Sequence, residues 1–215
     1  MRIMIAIPCG DTVDTNTFVS TVNLIRHEIP GVQTELVVLS NSLVYDARNQ
    51  LAQKAVSGGY DAILWIDSDM TFQPDLLERL LTDMQDGQDR DLVCGLFYSR
   101  RTFRPTMFSK CRITSDEEGT HIETELYKPI PYGIFEIEAC GFAAVLTKTS
   151  IFKEILDKGG LPFSPMLGLG EDLSACIRVR EFGHKLFCDS TIDVGHVSHL
   201  IIGGDDYRIS WNETE

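Results

Sequence analysis

The run Ala62-Ile63-Leu64-Trp65-Ile66 ends in Asp67-Ser68-Asp69, and this junction constrains the fold more than any other stretch. Five consecutive apolar residues suit a short strand buried on both faces. Two carboxylates this close cannot follow the strand into the core, because each resists desolvation and the pair repel. The strand must therefore end at a mouth that solvent reaches. A divalent cation bridging Asp67 and Asp69 to phosphate answers both charges. The alternative is a turn that caps the following helix. A second triplet, Asp89-Arg90-Asp91, follows a helix in a charged stretch and reads as solvated loop.

The chain around this junction alternates strand and helix. Strands are expected over 3–7, 34–39, 62–66, 92–96, 139–146 and 185–188. Helices are expected over 15–28, with Phe18, Val22 and Ile25 as its apolar face, over 46–57, after Pro74 with Leu76, Leu77, Leu80 and Leu81 inward, over 149–157 and over 171–182. Pro30-Gly31, Gly58-Gly59, Gly159-Gly160 and Gly183 punctuate the helices. This order predicts an α/β domain with a largely parallel sheet flanked by helices. Ligands of such sheets bind beyond the carboxyl ends of the strands, so the loops after Ile7, Leu39, Ile66 and Leu96 should share one mouth. Residues 98–138 are more polar and read as a hairpin-like excursion with an exposed turn at Asp116-Glu117-Glu118-Gly119. The region from Ile192 reads as loop, with 200–215 as a C-terminal tail after a single domain over 1–199.

The formal net charge of -13 disfavours general nucleic-acid binding and anionic membranes. There is no run of eighteen apolar residues, so no membrane span is expected. The start shows no signal-peptide cleavage pattern, and the expected location is cytoplasmic. The six cysteines (Cys9, Cys94, Cys111, Cys140, Cys176, Cys188) lack close pairing or zinc-like spacing and read as buried, reduced thiols.

Other polar residues gather near the expected mouth. Arg48, beside Asn49, can meet phosphate bidentately or clamp a carboxylate. His196 and His199 are candidate third ligands, and Gly195 permits close backbone approach. A histidine in the set favours Mn²⁺ over Mg²⁺. Glu171-Asp172 opens a helix after Gly170. The pair can be capping charges, or a general base that takes the proton of an attacking sugar hydroxyl. Asp172 is the expected base and Glu171 the acceptor-binding group. Arg100, Arg101 and Arg104, among Phe97, Tyr98 and Phe103, form a basic aromatic cluster suited to a diphosphate, a nucleobase or an anionic acceptor.

The ordered set Ile7-Pro8, Ala47-Arg48-Asn49, Trp65-Ile66-Asp67-Ser68-Asp69, Gly170-Glu171-Asp172 and Gly195-His196 resembles the nucleotide-sugar-dependent glycosyltransferases of the GT-A fold, in particular the inverting family 2. The resemblance covers residues 3–199. It implies a single Rossmann-like domain with a mixed sheet. It implies Asp67, Ser68 and Asp69 at the donor diphosphate, with Mn²⁺ or Mg²⁺ on Asp67, Asp69 and His196. It implies Asp172 as base with Glu171 beside it, and Pro8, Cys9 and Asp11 near the nucleotide base. The expected function is sugar transfer from a nucleoside-diphosphate sugar to the hydroxyl of an acceptor such as a glycan or glycoconjugate, with inversion. The alternatives are a retaining transferase, a nucleotidyltransferase making an activated sugar, and a non-catalytic sugar-binding domain. Cys9-Gly10-Asp11 replaces the family's usual polar run, and the Gln-x-x-Arg-Trp sequence of the processive synthases is absent. The second departure, with no membrane span expected, favours single addition by a soluble enzyme. The sequence leaves donor, acceptor and oligomeric state open.

Overall fold

The structure, a computed structural model, describes residues 1–86, 90–116 and 119–198. Asp89, Glu117, Glu118, His199 and the 200–215 tail, all named above, lie outside the described residues.

A seven-stranded sheet runs in the order β2-β1-β3-β10-β5-β11-β8. Its members are β1 (Arg2–Pro8), β2 (Gln33–Leu39), β3 (Ala62–Ile66), β5 (Arg90–Leu96), β8 (Ile134–Ile137), β10 (Ala144–Lys148) and β11 (Lys185–Asp193). β1 pairs in parallel with β2 and β3, and β5 with β11. β10 is antiparallel to β3 and to β5, and β8 is antiparallel to β11. The sheet is therefore mixed and mostly parallel, as in a Rossmann-like GT-A domain. Helices α1 (Thr15–Arg26), α2 (Val44–Ser57), α3 (Leu76–Asp86), α4 (Thr149–Asp157) and α5 (Glu171–Glu181) flank it. Among the described residues, no helix is long and apolar enough to cross a membrane.

Every residue of β3 is fully buried, as its unbroken apolar run requires. Trp65 anchors the core against Phe142, Phe152 and Phe163, with edge-on centroid distances of 6.1, 5.7 and 5.0 Å. Its indole N–H is satisfied by Thr147 Oγ1 at 3.0 Å. Leu76, Leu77, Leu80 and Leu81 face inward on α3. All six cysteines are buried and unpaired.

The structure corrects the expectations at several points. α1 turns its apolar stripe outward: Phe18, Val22 and Ile25 are exposed, while Thr17, Ser20, Thr21 and Leu24 face the protein. Two of these hydroxyls find partners there. Thr21 donates to the Thr17 carbonyl, and Ser20 Oγ accepts from the Phe72 N–H. The expected strand over 139–146 is two strands. β9 (Ala139–Cys140) pairs with β6 (Met107–Asp116), and β10 enters the main sheet after a break at Gly141-Phe142-Ala143. β6 and β7 (Gly119–Leu126) form a hairpin, and with β9 they make a separate three-stranded sheet. The last part of the 98–138 segment, β8, returns to the edge of the main sheet. β11 runs to Asp193, further than the apolar residues alone indicate. Beyond it, β12 (Gly195–His196) pairs with β4 (Met70–Thr71), where loop was expected.

Candidate active site

The Asp67-Ser68-Asp69 turn is fixed from three sides through its backbone. The Asp67 N–H donates to the Ala143 carbonyl at 3.2 Å, Asp14 N–H to the Ser68 carbonyl at 2.8 Å, and Val197 N–H to the Asp69 carbonyl at 2.8 Å. Two adjoining cavities open on it. One, of about 230 Å³, is lined by Pro8, Cys9 and Gly10 after β1, Ser42 and Val44 after β2, and the acidic turn after β3. The other, of about 280 Å³, is lined by the segment after β5, the Gly141–Ala143 break, Asp172 and His196. Arg48, Asp67 and Glu171 belong to both and form the wall between them. The four strand-end loops named from the sequence thus meet at one cleft.

Arg48 dominates that wall. Its side chain is only 2 % exposed, and it pairs with Asp67 Oδ1 at 2.6 Å and with Glu171 at 3.5 Å. The guanidinium lies 5.8, 5.6 and 5.8 Å from the ring centres of Trp65, Phe142 and Phe163, and Nη1 donates to the Phe142 carbonyl at 3.4 Å. Its Nε makes no hydrogen bond among the described residues. Burial pushes the Asp67 carboxyl above its ordinary range, and the neighbouring Asp69 and Glu171 add to this against the opposing pull of Arg48.

Asp69 sits in a different field. Arg100 donates to one carboxylate oxygen, and His196 Nε2 lies 3.4 Å from the other. Although desolvation opposes it, the His196 hydrogen bond and the charges of His196 and Arg100 hold this carboxyl below its usual value. His196 Nδ1 lies 2.9 Å from the Tyr98 carbonyl. That acceptor calls for a proton on Nδ1 and so directs Nε2 to Asp69. The bond to Asp69 raises the imidazole pKa against the desolvation that lowers it. The β12–β4 pairing brings His196 here, and glycine at 195 leaves the Thr71 side chain where it is: a Cβ there would lie 2.3 Å from Thr71 Oγ1.

Asp172 lies on the first turn of α5. Its Oδ1 accepts the Leu173 N–H at 2.7 Å, so it does serve the helix start. Burial, then the Glu171 charge, raise its pKa to about 6. A Cβ at Gly141 would sit 3.7 Å from the other carboxylate oxygen and 3.1 Å from the Phe97 ring, so glycine keeps that side open. The loop before α5 is tied to its surroundings: Asn49 Oδ1 accepts the Phe163 N–H at 2.9 Å, and Ser174 Oγ accepts that of Met166 at 3.0 Å.

Several of the sequence-selected residues stand apart from the rest, Arg104 and Phe103 of the basic aromatic cluster among them, since both are exposed and line neither cavity. Asn49 holds the loop and lines neither cavity, and Asp11 is exposed on the loop after β1 and lines neither. The cleft also uses Phe142, Ser42 and the Tyr98 carbonyl, for which the sequence carried no direct signal. Cys9 lines the first cavity, and burial with the nearby Asp11 charge raises its thiol pKa.

The acidic turn can receive a cation. Asp69 Oδ1 and His196 Nε2, 3.4 Å apart, are near the roughly 3 Å spacing of adjacent ligands on an octahedral ion with bonds of about 2.1 Å. Among the described residues, no three His, Cys, Asp or Glu form a ready-made metal cage. Phosphate and water would have to complete the shell.

A sequence profile described as Glycosyl transferase family 2 matches residues 33–150, a span that includes Arg48 and the acidic turn but stops short of α5 and His196. No curated protein matches the chain. Among solved structures, one titled "Crystal Structure of A197 from STIV" superposes with a TM-score of 0.65 and 19% identity, covering 93% of this chain and 87% of that one. That likeness speaks for the fold alone. With a profile match over more than half its length, the chain belongs to glycosyl transferase family 2.

Proposed function

We propose that this chain transfers a sugar from a nucleoside-diphosphate sugar to an acceptor hydroxyl with inversion. The observation that carries the reading is the division of the cleft. The acidic turn lies toward the cavity of Pro8 and Cys9, and Asp172 lines the other, with Arg48, Asp67 and Glu171 between them. In this reading the first cavity takes the nucleotide and the second the acceptor. Asp69 and His196, with the Asp67 oxygen that Arg48 leaves open, would hold Mn²⁺ or Mg²⁺, which when bound offsets the charge of the leaving diphosphate. Asp172 accepts the proton of the acceptor hydroxyl as that oxygen bonds to the anomeric carbon. The carbon's bond to the diphosphate oxygen breaks on the opposite face, and the nucleoside diphosphate departs. A carboxylate with a pKa of about 6 is a better base than an ordinary aspartate and is still ionised at neutral pH. Arg48 holds Asp67 and Glu171 in place beside it.

Titration calorimetry with UDP and GDP, with and without Mn²⁺, tests the donor half. Binding should require the metal, and Asp69→Asn should weaken it roughly tenfold or more. Equal affinity with and without metal for every nucleotide that binds would reject it. For the base, Asp172→Asn should lower kcat roughly 10²–10⁴-fold with nucleotide Kd little changed. Asparagine caps helices well, so a purely structural Asp172 would leave kcat near the wild-type value.

A further inference from the structure

We propose that the hairpin over residues 98–105 selects an acceptor sugar bearing an anionic group, and that Arg101 is the residue that meets it. This rests on the transferase reading above. The charges around the cleft carry it. Arg48 pairs with Asp67 and Glu171, and Arg100 faces Asp69 in the acidic turn. Arg101 lines the Asp172 cavity, is exposed, and makes no ion pair among the described residues. It is therefore surplus positive charge at the mouth of a protein whose net charge is -13. A neutral acceptor has no use for it. An anionic acceptor entering past Asp67, Glu171 and Asp172 would be repelled without it, and a guanidinium fork matches carboxylate or phosphate.

The backbone of the hairpin that carries Arg101 is held in one shape. Ser99 N–H donates to the Arg104 carbonyl at 2.9 Å, and Phe103 N–H to the Ser99 carbonyl at 2.8 Å. Ser99 Oγ accepts from the Arg101 and Thr102 N–H groups at 3.3 and 3.4 Å. Tyr98 and Pro105 close its base as a bridge. At the tip, Phe103 has φ +53° and is 79 % exposed. A bulky residue in the left-handed region is strained, and no burial of its ring offsets that strain. An aromatic face displayed beside a sugar-handling cleft suits the apolar face of a sugar ring. The donor diphosphate is the competing partner for Arg101. The UDP affinity of Arg101→Gln decides between the two.

The test uses three probes with Mn²⁺ and UDP present: p-nitrophenyl β-glucuronide, glucose 6-phosphate and the neutral p-nitrophenyl β-glucoside. Affinities are read by saturation-transfer NMR on wild type, Arg101→Gln and Arg101→Lys. At least one anionic probe should bind roughly tenfold tighter than the glucoside, the effect of a charge-assisted hydrogen-bond pair. Arg101→Gln should abolish that preference, Arg101→Lys should keep part of it, and UDP affinity should stay unchanged. The two anionic arms separate carboxylate from phosphate. Equal binding of all three probes, binding of none, or a preference that survives Arg101→Gln overturns the proposal. A fall in UDP affinity in Arg101→Gln also overturns it, by moving Arg101 to the donor. Absence of UDP and GDP binding to wild type with Mn²⁺ is a separate result, the failure of the transferase reading itself.

Discussion

Asp67 and Asp69 leave the same strand two residues apart, yet the two sides of the cleft treat them in opposite ways. On the inner side, Asp67 shares a buried arginine with Glu171, and burial raises its pKa. On the outer rim, Asp69 meets a histidine and a half-exposed arginine, and its pKa falls. The inner wall sets one buried guanidinium, ringed by aromatic side chains, against two carboxylates. The rim is neutralised by groups that water reaches and that a ligand can displace. Scaffold and exchangeable contact are thus built from the same residue types, and the burial of the arginine, complete for Arg48 and only partial for Arg100, separates the two roles.

The largest expected effect breaks the inner side. Arg48→Met leaves Asp67 and Glu171 facing each other without their cation and should cost about 3 kcal/mol, read from the urea midpoint. Adding Asp67→Asn should recover part of the loss. A loss under about 1 kcal/mol would put the inner cluster on the same footing as the rim.

The second effect has the opposite sign. Asp172 has a folded-state pKa of about 6, above the unfolded value near 4. The folded state therefore binds more protons between these values, and stability declines as pH rises from about 4 to about 6. Asp172→Asn removes that decline and should be more stable than wild type at pH 7 by about 2 kcal/mol. Thermal melts of both proteins at pH 4 and pH 7 check the sign: the gap should open only at the higher pH. The activity limb should fall as pH drops through about 6, because the base is then protonated.

The smallest effect lies on the rim. Arg100→Gln removes an ion pair whose arginine is 48 % exposed and should change stability by no more than about 1 kcal/mol. A loss matching that of Arg48→Met would erase the distinction between the two sides.

The sequence revealed most where the signal was local. The run from Ala62 to Asp69 states both burial and its limit, so β3 and the mouth could be read directly. α1 misled because its buried face is built from threonine and serine, whose partners lie at the Thr17 carbonyl and at Phe72, the latter across the fold. Asn49 follows Arg48 in sequence, but successive helix residues point about 100° apart, and it serves the 162–170 loop. The return of His196 rests on a two-residue ladder too short to show a period, and Gly195 was its only trace. The role of β10 had no trace at all, since strand order is decided by which edges meet in space.

The position of β10 bears on how the chain is made. β3 and β5 are translated early, but the β2-β1-β3 side of the sheet joins the β5-β11-β8 side only through β10, which starts at Ala144. Until then β3, wholly apolar, has a bare edge along its length, the kind of edge that recruits strands from other chains. Folding of the nascent polypeptide must therefore wait for a late segment to wedge between two early ones, a non-local closure that slows folding. Ribosome-bound fragments ending before Ala144 should be protease-sensitive and prone to aggregate, and those extending past Asp193, which also pair the other edge of β5 with β11, should not.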